Sequence, residues 1–214
     1  MIGVLASGGL DSCILISELL RQDRCTQPFY IRSNLVWEQA ELRALRSYLH
    51  AEASPNLRDL TLLELPLADL YGQHWSTTGD NTPASDAPDE AVFLPGRNAL
   101  LVVKAAVWCQ LNAVHELALA SLVTNPFADA TGRFFEHAQA MFNCYDGRPI
   151  RIVLPFSELN KRQVMERGRG YPLELTFSCI SPVAGEHCGR CNKCAERQHA
   201  FRDIGLEDPT SYVS

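Results

Sequence analysis

With 214 residues, 46% of them apolar and 21% charged, the chain holds enough material for one substantial core with a small appendage, which excludes a disordered or fibrous protein. Its 19 basic and 25 acidic residues give a formal charge of −6, a poor balance for broad nucleic-acid binding by phosphate neutralisation. No apolar run reaches bilayer-spanning length and no basic leader precedes one, so a cytoplasmic protein without membrane contact is expected.

Residues 2–5 read as a strand that breaks at Ser7-Gly8-Gly9 into a helical pattern carried by Cys13, Ile14, Ile16, Leu19 and Leu20. The two glycines let the backbone turn sharply, so amides and the positive end of the following helix can face an anion. Ser7 and Ser12 add hydroxyl donors. Asp11 would repel a phosphate unless a cation stood between them, which suggests a Mg²⁺ ligand or a helix cap. Neither the Walker spacing nor the G-x-G-x-x-G pattern is present, and a plain strand-to-helix turn is the bland alternative. The whole string Ser7, Gly8, Gly9, Leu10, Asp11, Ser12 resembles the PP-loop of ATP pyrophosphatases, which split ATP into AMP and pyrophosphate while adenylating a substrate.

Further along, residues 28–31 read as a second strand, 36–50 as a helix and 60–65 as a third strand closed by Pro66. Residues 71–91, with Gly72, Gly79, Pro83 and Pro88, read as a long irregular loop, either a mobile lid, which we favour, or plain disorder. Trp37 and Trp75 could stack on a base or simply pack. A helix over 99–111 follows Leu94-Pro95-Gly96-Arg97-Asn98, where Arg97 could clamp a phosphate bidentately and Asn98 could cap the helix. A strand at 116–122 leads to Asp129, which either meets substrate or metal or caps the next helix, at 134–142. After a strand at 150–154, Lys161 sits at the start of a helix running from 160 to 168. A cation at that end is misplaced unless it faces an anion, so it could stabilise departing pyrophosphate. The alternation predicts an α/β fold with a doubly wound parallel sheet and a site at the carboxyl ends of its strands.

Cys179, Cys188, Cys191 and Cys194 offer four thiolates at short spacing, enough for a closed tetrahedral Zn²⁺ site of structural type; an iron–sulfur cluster is the alternative. The division expected is a nucleotide-splitting domain over 1–175 and a metal-binding segment over 176–214 packed on it. His187 and His199 are expected at the surface or behind the ligands, and Cys13 and Cys109 in the core.

Three separated segments, Ser7 to Ser12, Pro95 to Asn98, and Thr176 to Cys194 with its Cys-Gly-Arg-Cys-Asn-Lys-Cys run, together resemble the 7-cyano-7-deazaguanine synthase (QueC) family, as does Pro155 to Lys161. The resemblance implies ATP with Mg²⁺, a small-molecule carboxylate (7-carboxy-7-deazaguanine), ammonia, a nitrile product, structural zinc and a homodimer. It places Asp11, Arg97 and Lys161 in catalysis, Ser7 to Ser12 on ATP, and Asn98 and Asp129 near the substrate. Two segments depart from it: Phe-Ala-Asp-Ala-Thr-Gly-Arg-Phe-Phe from Phe127 replaces the family's Tyr-Pro-Asp-Cys-Arg type element, and Tyr30-Ile31-Arg32-Ser33-Asn34 replaces its Tyr-Gly-Gln lead-in. Other readings are therefore a relative acting on another carboxylate or stopping at the amide, a tRNA-thiolating enzyme, or a zinc-binding interaction module with an idle loop.

Overall fold

The computed structural model describes residues 1–213. Five short strands, β1 (Ile2–Leu5), β2 (Thr26–Arg32), β3 (Thr61–Glu64), β4 (Glu116–Ala118) and β5 (Arg151–Val153), form one parallel sheet in the order β3-β2-β1-β4-β5. Among the described residues, eight helices connect and flank them: α1 (Leu10–Arg21), α2 (Glu38–Ala51), α3 (Ala68–Tyr71), α4 (Trp75–Thr78), α5 (Arg97–Leu111), α6 (Gly132–Phe142), α7 (Lys161–Arg167) and α8 (Asn192–Asp203). From β1 the chain steps outward to β3, then returns to the other side of β1 as β4. The switch point between β1 and β4 opens a crevice at the carboxyl ends of the strands, where the ends of the crossing connections cannot cover it.

Both faces of the sheet are covered, as parallel strands require. Ile2, Val4, Tyr30 and Ala118 point to one side, where they join α1, α2, α7 and the end of α8 in a common core. Phe29, Ile31, Leu117 and Leu119 point to the other, against α5 and α6. The doubly wound fold expected from the alternation is the one observed. Gly3 in β1 is dictated by packing: a Cβ there would lie 2.5 Å from the Phe29 ring and 3.1 Å from Cys109 Sγ. Cys13 and Cys109 are fully buried in these two cores. Among the described residues no helix is long and apolar enough to cross a membrane.

Three features differ from the sequence expectation. Regular pairing in β4 stops at Ala118, because the chain turns away to supply Ser121 to Ala130 and Val123 to Leu159 hydrogen bonds. Residues 71–91 contain α4 and approach a 3-10 turn at Asp89–Val92, and they are tied down. Val36 N donates to Ser76 O at 3.0 Å, Asn192 N to Pro83 O at 3.0 Å, and Asn192 Nδ2 to Ala87 O at 2.8 Å. Finally, α8 grows out of the cysteine run itself, with Cys191 as its N-cap and Cys194 in its first turn. Its sequence is mostly charged and amide side chains, so it carries little apolar periodicity to announce it.

Candidate active site

The turn after β1 is ordered by its own side chains. Ser7 N donates to Ser12 Oγ at 3.1 Å, Gly9 N to Ser7 Oγ at 3.2 Å, and Ser12 Oγ to Gly9 O at 3.3 Å. Gly8 has φ +78° and lies so close to α2 that a Cβ would sit 2.8 Å from Glu41 O. Glycine is required there both by conformation and by space. The N-cap of α1 is Gly9, without a capping side chain, so Asp11 is not a cap. It lies in the first turn, where the helix dipole favours an acid.

A cation does stand against Asp11, and it is Lys161. Its Nζ donates to Asp11 Oδ1 at 2.9 Å and Oδ2 at 2.8 Å, and lies 3.2 Å from Glu196 Oε1. Lys193 holds the other oxygen of Glu196 at 2.5 Å. Burial opposes the charge on Lys161, but Asp11 and Glu196 outweigh it and raise its pKa above the ordinary lysine value. Burial likewise works against Glu196, yet Lys161 and Lys193 pull its carboxyl down to about 2. The row Asp11, Lys161, Glu196, Lys193 thus alternates in sign and joins α1, α7 and α8 at one edge of the crevice. It also explains how a lysine is tolerated at a helix start.

Arg97 opens α5, whose N-cap is Gly96 rather than Asn98. The guanidinium Nε is buried and has no hydrogen-bond partner among the described residues. A buried donor without an acceptor is costly and rare, so it marks a place for an anionic oxygen. Asn98 and Asp129 are brought together: Asn98 N donates to Asp129 Oδ2 at 3.3 Å, and Asn98 Nδ2 to Asp129 O at 3.1 Å and Oδ1 at 3.2 Å. Asp129 therefore satisfies the start of α5, while the next helix, α6, is capped by Thr131 through Phe134 N. Asp129→Ala should lower the unfolding free energy by about 1 kcal/mol, as loss of a terminal cap does. Urea unfolding would show it as a lower midpoint; an unchanged midpoint would contradict it.

Two adjoining cavities share this floor. One, of about 330 Å³, is walled by Trp37, Trp75, Phe93, Phe127 and Phe177 and reaches Lys161 and Glu196. The other, of about 220 Å³, lies over the strand ends between Ile31, Leu101, Leu119 and Phe135. Trp37 and Trp75 stack on each other, with centroids 5.7 Å apart and an interplanar angle of 24°. Glu41 borders both cavities and accepts a hydrogen bond from Tyr30 at 2.7 Å. Burial pushes its carboxyl up, against the opposing pull of Arg97 and Tyr30, to about 7. Glu41, Glu196, Lys193 and Arg197 went unmarked in the sequence. Only Lys193, inside the Cys-Asn-Lys-Cys run, had a neighbourhood that could have flagged it.

The four cysteines are all buried, and their Sγ atoms lie within 4.8 Å of one another. Cys179 to Cys191 is 3.8 Å and Cys188 to Cys194 is 4.0 Å. Sulfurs about 2.3 Å from one tetrahedral ion would be about 3.8 Å apart, so the set fits a single metal ion. In a four-iron cluster each sulfur would bind a different iron and the four would spread wider. His187 is buried rather than at the surface: its Nε2 accepts from Ser178 N at 3.1 Å and its ring lies 4.3 Å from that of Phe177. His199 is exposed. Phe177 N in turn donates to Gly8 O at 2.8 Å, joining the cysteine segment to the glycine turn. Buried Arg197 braces the same segment through Thr176 Oγ1 at 2.8 Å, Ser178 Oγ at 3.3 Å and Leu173 O at 3.0 Å.

A family model described as "Queuosine biosynthesis protein QueC" matches residues 2–205. Similar proteins include the 7-cyano-7-deazaguanine synthases of Acidobacterium capsulatum, 27% identical over 98% of this chain and 95% of its own length, and of Solidesulfovibrio magneticus, 29% identical over 98% and 94%. Among solved structures, the fold is similar to that of a predicted subunit of tRNA methyltransferase from Methanocaldococcus jannaschii, with a TM-score of 0.53 and 12% identity over 100% of this chain and 91% of that one. It is also similar to that of NMN synthetase from Francisella tularensis, with a TM-score of 0.51 and 15% identity over 97% and 78%.

Proposed function

The chain belongs to the QueC family, and on that premise we propose that it is an ATP-dependent ligase that converts 7-carboxy-7-deazaguanine and ammonia into 7-cyano-7-deazaguanine. The observation that carries the reading is the meeting of the Ser7 to Ser12 turn, the Lys161 ammonium and the unpartnered Arg97 Nε at the junction of two cavities. The smaller cavity, set against the strand ends with Ile31, Leu101, Leu119 and Phe135 on one wall and polar side chains on the other, takes the adenosine of ATP. The larger, with its aromatic wall, takes the flat deazapurine and directs its carboxylate to the junction.

A carboxylate is a poor electrophile until one oxygen becomes a phosphate ester. Its attack on the α-phosphorus expels pyrophosphate and forms an acyl adenylate. Amides of the glycine turn, Arg97 and Lys161 are placed to stabilise the negative charge that grows on the departing oxygens. Ammonia then displaces AMP to give the amide. A second ATP activates the amide oxygen, and loss of AMP and a proton leaves the nitrile. Asp11 uses part of its lone-pair capacity on Lys161 and borders both cavities, so it fits as a ligand for Mg²⁺, which when bound would screen the pyrophosphate charge. The cysteine set fits Zn²⁺ as a closed structural site over 176–214, packed on the nucleotide-splitting body of 1–175. A homodimer is the assembly that the family resemblance implies.

The test is direct. Protein supplied with ATP, Mg²⁺, ammonium and 7-carboxy-7-deazaguanine should release two AMP per nitrile formed, read by mass spectrometry. Amide accumulating with one AMP would relocate the end point, and no acid-dependent AMP would remove the substrate assignment.

A further inference from the structure

The acyl adenylate of the proposed reaction has to form where the two cavities meet, because its two halves occupy different ones. Two carboxylates border both cavities there, Asp11 and Glu41. Asp11 is engaged through both oxygens by Lys161. Glu41 is differently placed: Tyr30 donates to its Oε2 at 2.7 Å, and Oε1 has no hydrogen bond among the described residues. Its position is fixed, since α2 is pressed against the glycine turn at Gly8. A carboxylate oxygen is therefore available at the reacting junction without a cation hydrogen-bonded to it.

The nitrogen source is protonated around neutral pH, and an ammonium ion has no lone pair with which to attack. We infer that Glu41 is the proton acceptor that releases ammonia for attack on the acyl adenylate, an assignment that rests on the carboxylate-amidating reading above. One N–H bond of ammonium breaks, its electron pair stays on nitrogen, and the proton passes to Oε1 of Glu41. The nitrogen pair then forms the C–N bond, the bond from the acyl carbon to the phosphate oxygen breaks with its pair on AMP, and the second proton leaves the new amide nitrogen for a phosphate oxygen of AMP or water. The surroundings suit the task. Burial pushes the carboxyl up to about 7, over the opposing pull of Arg97 from α5 and Tyr30 from β2, and Glu38 on the same helix adds to the rise. At that value the group both accepts and returns a proton at neutral pH.

Glu41→Gln keeps the shape of the side chain and an oxygen for Tyr30. In the holoenzyme we expect it to lower amide formation from ammonium by about 10²-fold at pH 7, the usual scale for a lost general base, with a smaller loss in acid-dependent ATP–pyrophosphate exchange. The deficit should shrink toward pH 9 as free ammonia becomes available. Tyr30→Phe, which removes a bond favouring the charged form, should shift the acid limb of the pH profile upward. The pH dependence of stability reports on the same burial independently. The folded carboxyl titrates at about 7 against an ordinary 4.5, so its stabilising contribution is complete below 4.5 and lost as pH rises through 7. Glu41→Gln should accordingly melt higher than the native protein at pH 8 and much like it at pH 4.5. Amide formation within threefold of native at pH 7, or an equal, pH-independent loss in both half-reactions, would overturn the assignment. Absence of acid-dependent exchange in the native enzyme would instead bring down the parent reading, and this assignment with it.

Discussion

Lys161→Ala should lower the rate of acid-dependent pyrophosphate release by about 10²–10³-fold at saturating ATP, the loss that follows removal of one preorganised charge from a site where charge develops. The size follows from what the ammonium touches. It is the cation between Asp11 and Glu196, two acids brought to one cavity wall from α1 and α8. Without it, their charges would repel each other and any phosphate placed over the glycine turn. A fall in kcat and kcat/KM together would place the interaction in the transition state, whereas a rise in KM alone would mean that Lys161 only binds ATP. Lys161→Arg should restore little, because a longer, planar fork that pairs with Asp11 alone cannot also set one compact charge against Glu196. A loss below tenfold in Lys161→Ala would refute its catalytic placement.

The second large effect is expected at the metal. Cys194→Ser, or exhaustive chelation, should reduce bound metal from one ion per chain to near none and lower the melting temperature by about 8–16 °C. This corresponds to about 4 kcal/mol of linkage for a metal held a thousandfold above its Kd, at about 2–4 °C per kcal/mol for a chain of this size. Cys194 is fully buried, so the exchange leaves no room for solvent to compensate. The affinity for ATP should fall as well, since the segment leading to Cys179 donates from Phe177 to the carbonyl of Gly8. Elemental analysis of the native protein separates zinc from iron. A variant that keeps its melting temperature would show that the cysteines are not a metal-dependent staple.

The parts of the site legible in the sequence are those built from neighbours in the chain. Ser7 to Ser12 is one turn, and the cysteines lie within a single segment, so spacing alone constrains their geometry. Lys161 was legible as a misplaced cation, but its partner was not: Asp11 lies 150 positions away, and nothing local encodes that pairing. Glu41 looks like any glutamate in a charged helix until the fold sets it under Gly8. The start of α5 departs from its local sequence for a related reason. Asn98 is a good capping residue, yet a long-range acid, Asp129, took the amide that a local cap would have served. Helix α8 escaped notice because its buried face is led by Arg197, whose burial is made tolerable by hydroxyls and carbonyls from distant segments.

The position of β1 at the middle of the sheet has a consequence for biosynthesis. The glycine turn is made before its partners, so its strand must wait for β4 to fill one side, its aspartate for Lys161, and the carbonyl of Gly8 for Phe177. Contacts of such sequence separation form slowly and late. A nascent chain that has not reached α7 would carry the glycine turn without the cation opposite it, so the proposed ATP chemistry has to wait until Lys161 and the cysteine segment have both been made.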